Sequence, residues 1–256
     1  EVRCFSLPVN AQEDRWITAI DFQPGNGAVV YSASFFIENP GRNKKDGDCD
    51  LKSGTVNHES LGVWIPGQVA ERLPAGAGRL LPANARILMR IHYRKNGEDT
   101  TDRSRLGLYF AKDRVEKIAH TITIGPDGAN AANGRMRVTH TLTAAAEAIA
   151  IRPLLFPYAE SLEARAYHPD GSIEVLIWAR SYRYDWQPSY YFRRPPALPK
   201  GTRIEVTAYL KGAEARKLPE AFCEIILTAI SERTSQHRPA PAPAPHRVPH
   251  PAPHHV

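Results

Sequence analysis

The chain reads as all-β, two antiparallel β-sandwiches in tandem followed by an extended tail, and three observations predict this. Short apolar runs alternate with period two, as half-buried strands do. Turn residues separate these runs at regular spacing, notably Pro169-Asp170-Gly171 and Pro199-Lys200-Gly201. The runs fill both halves of the 256 residues, and an antiparallel sheet needs a second layer to cover its apolar face. The expected organisation is jelly-roll-like: a first sandwich over 1–112, a second over 113–232 and a tail over 233–256.

In chain order, Asp14–Phe22 alternates like a strand, and Pro24-Gly25-Asn26-Gly27 turns it into Ala28–Ile37, rich in β-branched and aromatic residues, so a hairpin is expected. Asn39–Asn57 clusters Gly, Lys and Asp and reads as an exposed loop. In Arg86–Tyr93 the residues Ile87, Met89 and Ile91 share one face and Leu88, Arg90 and His92 the other. Asn96-Gly97 is a hairpin turn signal, after which Leu106–Phe110 returns apolar. Strands are then expected over Thr121–Ile124, Arg135–Thr143, Leu162–Tyr167, Ile173–Trp178, Arg203–Leu210 and Glu224–Ile230. Ala144–Ile151 is helical by propensity alone, but its place between strands makes it a strand. From about Glu232 the composition changes: Ser235–Val256 holds seven prolines, largely alternating with alanine, and cannot form a core, so it should populate extended polyproline II.

A net charge of +6 is too modest to mark a nucleic-acid binder and fits an acidic partner or lipid headgroups. No apolar run approaches the roughly 20 residues that span a bilayer, so no transmembrane segment is expected. Glu1 leads directly into a strand-like segment without a leader, which fits a mature exported form, periplasmic or extracellular. The three cysteines show no metal or haem spacing; Cys4 and Cys49 either pair, leaving Cys223 single, or all three are buried thiols.

Several motifs carry a resemblance: DRWITAIDFQPGN with the following AVVYS, LGVWIPG, the strand ending Arg90-Ile91-His92-Tyr93, TDRSRLGL and YDWQ. Together they resemble the bacterial copper type II, ascorbate-dependent monooxygenase-like proteins, related to peptidylglycine α-hydroxylating monooxygenase and dopamine β-monooxygenase. The resemblance covers nearly all of Cys4–Leu227 and implies two tandem sandwiches with one copper site in each. Where the family has an adjacent His-His pair, this chain has Tyr31 and Ser32, and only the strand histidine, His92, is kept. At the second site the two histidine positions correspond to Leu154 and Phe156, and the methionine position to Ile225. One imidazole does not hold copper at useful affinity, and oxygen activation needs the metals. The resemblance with these replacements therefore implies a scaffold that binds no cofactor, copper included, and is not an enzyme. His58, His120, His140 and His168 stand at no ligand spacing.

Arg180–Arg194 mixes arginine with tyrosine and tryptophan. It looks superficially like a base-stacking surface, but these are also the residues enriched at protein interfaces. The expected partner-binding residues are Arg180, Tyr182, Arg183, Tyr190, Tyr191, Arg193 and Arg194, with other protein subunits as partners and no nucleic acid. In the tail, His246, His250, His254 and His255 either converge on a metal ion or ride on an extended arm that docks in a groove. Three functions follow: a non-catalytic docking subunit of a membrane-associated complex, of electron-transfer or photosynthetic type; a copper-binding protein acting through its tail; and a monooxygenase with rearranged ligands.

Overall fold

The computed structural model describes residues 1–38, 59–125, 130–132, 134–155, 159–181, 183, 186–210 and 223–233. The expected loop over Asn39–Asn57 and the tail lie outside the described residues, as do Cys49, Phe156 and Tyr182. Among the described residues there are only strands, bends and turns, with no helix. The strands are β1 (Val2–Pro8), β2 (Arg15–Gln23), β3 (Val30–Glu38), β4 (Glu59–Trp64), β5 (Glu71–Arg72), β6 (Ala77–Leu81), β7 (Arg86–Tyr93), β8 (Arg105–Phe110) and β9 (Lys117–Ile124). They continue with β10 (Asn130–Ala132), β11 (Arg135–Thr141), β12 (Ala146–Leu155), β13 (Ala159–Tyr167), β14 (Ile173–Ala179), β15 (Tyr190–Tyr191), β16 (Ala197–Leu198), β17 (Arg203–Leu210) and β18 (Cys223–Glu232).

One long sheet, in the order β15-β12-β18-β9-β6-β2-β5, runs through both halves of the chain, with β8 paired to β2 and β16 to β12. The halves join where β6 pairs β9, Gly78 lying opposite Ile118, in a parallel register. A four-stranded sheet, β1-β7-β3-β4, covers the N-terminal half, and a five-stranded sheet, β10-β11-β17-β13-β14, covers the C-terminal half. Each pair of layers encloses its own apolar core. One is built around Ile17, Phe22, Phe35, Leu81, Ile87 and Ile91, the other around Ile124, Ile151, Leu162, Val206, Ile225 and Leu227.

The two covers lie on opposite faces of the long sheet. Opposed residues in a ladder share a face, so Arg79, opposite the core residue Ile17, points to the N-terminal core side. Its guanidinium reaches Thr121 Oγ1 at 3.2 Å. Thr121 pairs with Thr228, on the face of β9 and β18 opposite to Ile122, Ile124, Ile225 and Leu227. The side that is core in one half thus faces away from the core in the other, leaving a step where the edge of the N-terminal cover abuts the face of β9, β18 and β12 that carries the buried Ala119 and Ile230.

Neither hairpin expected from the sequence forms. β2 pairs with β5, β6 and β8, whereas β3 pairs with β4 and β7, and β7 pairs with β1 and β3 rather than with β8. Both connections cross from one layer to the other because the apolar faces of β2 and β3 meet through the core, with the Phe22 and Phe35 rings 5.3 Å apart. The crossings are tied at one end of the sandwich by a single carboxylate. Asp102 accepts from the Asn26 amide at 2.9 Å, the Ser104 hydroxyl at 2.8 Å and the Tyr93 hydroxyl at 3.0 Å. A side chain on Gly25 would overlap the backbone of Arg103. The PGN and TDRS motifs are therefore two loops of one joint.

Candidate functional site

The positions matched to copper ligands fall on two surfaces that meet at the step. On β3 and β7, Ser32 lies directly opposite His92 in the ladder, one residue past an irregularity that takes Tyr31 out of register. The Tyr31 ring instead lies beneath the Arg94 guanidinium, 5.3 Å from its centroid. On β12 and β18, Leu154 pairs with Glu224 and Ile225 with Pro153. Period two then places Leu154 and Ile225 on opposite faces of the sheet, and Ile225 is 0% exposed in the C-terminal core. Grouping Leu154 with Ile225 around one ion is therefore corrected by the register. The residues on the Leu154 face of β18 are Glu224 and Ile226. Phe156, the other second-site position, lies outside the described residues, as do the tail histidines His246, His250, His254 and His255.

The charge around His92 also runs against a cation. Burial lowers its pKa first, and Arg90, the N-terminus and Arg152 of β12 lower it further. Burial lowers the Arg90 pKa as well. Arg90 stands on the same face two residues before His92, where the resembled family has glutamine. Among the described residues no three His, Cys, Asp or Glu side chains gather as a metal site.

A second polar group occupies the junction of the halves. Arg79, 3% exposed, donates to Glu59 Oε1 at 2.7 Å as well as to Thr121. Thr121 Oγ1 in turn donates to the Ser60 carbonyl at 3.3 Å. The Glu71 carboxylate fills the space a side chain on Gly62 would take, and Gly62 has φ +135°, a backbone geometry that favours glycine. Burial pushes the Glu71 carboxyl up, opposed by the charge of Arg79 and a hydrogen bond with Tyr191. Burial, then the Glu71 charge and hydrogen bond, raise the Tyr191 phenol in return. Tyr93, beneath the loop joint, is pushed up to about 12 by burial and by its bond to Asp102.

These contacts sort the expected partner-binding residues. Arg180, Arg183, Tyr190, Arg193 and Arg194 are exposed, with the Arg180 guanidinium 4.0 Å from the centroid of the Trp178 ring. Tyr191 is exposed as well, at 41%, while β15 pairs it with Ala150 and its hydroxyl bonds Glu71 of the other half, so one end of it is held within the molecule. Tyr182 lies outside the described residues. Cys4 is buried and disulfide-bonded; Cys49 lies outside the described residues. The sequence reading gave the strand at Ile173–Trp178 but did not mark it as a partner surface. Ile173, Val175 and Trp178 are 57%, 53% and 54% exposed on the outermost strand of the C-terminal cover. The signal was present, since Ile173–Trp178 is apolar at five of six positions instead of alternating.

No family model matches the chain, and no curated protein matches it. Solved structures that align with it include infectious bursal disease virus Gt strain, at 9% identity over 90% of this chain and 70% of that one, with a TM-score of 0.24. The VP2 subviral particle of infectious bursal disease virus aligns at 10% identity over 91% and 71%, also with a TM-score of 0.24. A mutant of Bacillus subtilis oxalate decarboxylase aligns at 8% identity over 91% and 70%, with a TM-score of 0.18. Likeness at this level carries no argument about fold or function.

Proposed function

We propose that the chain is a non-catalytic docking subunit of an exported, membrane-associated protein complex, of electron-transfer or photosynthetic type, built on a sandwich similar to the copper monooxygenases. The observation that carries this reading is the edge of β14, which among the described residues has no strand beyond it and puts three large apolar side chains in solvent. An unprotected apolar edge invites pairing, and strand addition gives a partner main-chain hydrogen bonds plus pockets for alternate side chains. The exposed Trp178 of this strand, with the Arg180 guanidinium over its ring, supplies residue types that dominate binding energy at interfaces. The replaced positions support the non-catalytic part, since no redox chemistry follows from Ser32 or Leu154. No helix of the described residues is long and apolar enough to cross a membrane, so the proposed membrane association is peripheral, through partners.

The test is isolation of the intact protein from mildly solubilised membranes of its source. A fixed set of subunits should co-purify stoichiometrically, and Val175→Lys with Trp178→Glu should release them while leaving the chain folded. A protein that runs as a monomer in the same gentle extracts, or whose partners survive both substitutions, is not the subunit proposed. Two tightly bound copper ions in Glu1–Glu232 would overturn the non-catalytic reading.

A further inference from the structure

Arg90 is a half-buried guanidinium with no hydrogen-bond or ion-pair partner among the described residues, and its Nε is shut off from solvent. A guanidinium keeps its charge in a protein, and a buried charge without a partner is costly. On β1 the disulfide-bonded Cys4 lies opposite Arg90, and on β3 the neighbours are donors. Ser34 lies opposite Arg90 in the ladder, and Ser32 opposite His92. Across the step, Arg152 of β12 adds its positive charge to His92. Its Nε donates to the Gln187 carbonyl at 3.2 Å. The acid on this side is Glu224, which pairs with Leu154 on the Arg152 face of the long sheet. Burial raises its pKa and Arg152 opposes the rise, so it tends toward the neutral form.

We propose that this face of β3 and β7 binds an oxyanion, a phosphoryl or carboxylate group, held by Arg90 with the Ser32 and Ser34 hydroxyls and the His92 imidazole as further donors and the Arg152 charge beside them. The planar fork of Arg90 matches two oxygens of such a group, and water-poor surroundings strengthen the contact. In this chain the place matched to the family's first copper site thus favours the opposite charge. The inference stands on Arg90 and its neighbours and does not depend on the docking reading or on β14.

The experiment uses the full chain at low ionic strength, where exposed charges are least screened. Inorganic phosphate and acetate are titrated separately while the His92 ring resonances are followed by NMR. Saturable movement with phosphate alone assigns the face to phosphoryl groups, and movement with both extends it to carboxylates. Arg90→Gln, which restores the residue type the resembled family carries there, should weaken binding at least roughly tenfold, as loss of a charge-assisted contact does. Arg105→Gln, on exposed β8, should leave binding unchanged. Absence of any saturable His92 response at millimolar anion overturns the proposal, as does full affinity in Arg90→Gln. If Arg90→Gln does not fold, Arg152→Gln serves in its place by the same criterion.

Discussion

β4 and β14 hold the same position in the architecture: each is the edge strand of a cover sheet, and among the described residues each has one side without a neighbouring strand. At β4 that edge is buried in the molecule. Glu59 receives Arg79, the Ser60 carbonyl receives Thr121, and Gly62 makes room for the Glu71 carboxylate. Its large apolar residues are inside, Leu61 at 3% and Val63 at 5% exposure. At β14 the far side meets solvent, with Ile173, Val175 and Trp178 outward. Proteins normally blunt such edges with charge, proline or a covering segment. Of the central apolar run in β14 only Glu174 is charged, and it is turned toward His168, 3.6 Å away. One edge is thus completed within the chain, while the other has the composition of a surface completed by something else.

Substitutions at the two edges should separate these roles, and the largest effect belongs to Gly62. Gly62→Val forces a β-branched residue into positive φ against Glu71, combining backbone strain with overpacking for a loss of about 3 kcal/mol or more. A denaturant titration that finds less than 1 kcal/mol would break the claim that the β4 edge is tightly fitted. Arg79→Ala comes next. It removes the donor shared by Glu59 and Thr121 from an almost fully buried site, and about 2 kcal/mol should be lost, with the midpoint of unfolding as readout.

Glu71 adds a dependence on pH whose sign is fixed by its raised pKa. Between its ordinary value of 4.5 and the higher folded value, the folded state binds more protons than the unfolded state, so stability falls as pH rises through that window. Glu71→Gln should flatten that fall while keeping the Tyr191 contact. His120 works in the other direction: burial lowers its pKa, so its contribution is present above 6.5 and is lost as pH drops below it. Unfolding midpoints of wild type and Glu71→Gln from pH 4 to 8 separate the two, and parallel curves would remove Glu71 from the junction.

The smallest effect on stability belongs to β14. Val175→Lys should change it by no more than about 0.5 kcal/mol, as exposed substitutions do. A larger loss would mean that β14 is held by contacts of its own and is not an open edge.

Much of the local structure was legible in the sequence. The strands over Arg86–Tyr93 and Arg203–Leu210 have the bounds that alternation and flanking turns give them. The turn at Pro169-Asp170-Gly171 does join paired neighbours, β13 and β14. Pairing elsewhere was not legible, because a turn that folds a strand back in its own sheet and one that carries it to the facing sheet use the same residues. Asn96-Gly97 and Pro24-Gly25-Asn26 belong to the second kind. Ile225 was misplaced as a ligand position for a related reason: a one-residue difference in register exchanges the faces of a strand.

What the sequence by itself determined is the all-β class and the positions of most strands. These follow from period-two patterning and turn chemistry, which are local. Tertiary structure alone decided that the two halves share one sheet and cover its opposite faces. It also decided that Arg90 and His92 share a face with Ser34 and Ser32, that Tyr191 reaches across to Glu71, and that among the described residues β4 is closed while β14 is open. These depend on which layers meet, and layer contact is set by the burial of whole apolar faces between residues far apart in the chain, a sum that no short window of sequence contains.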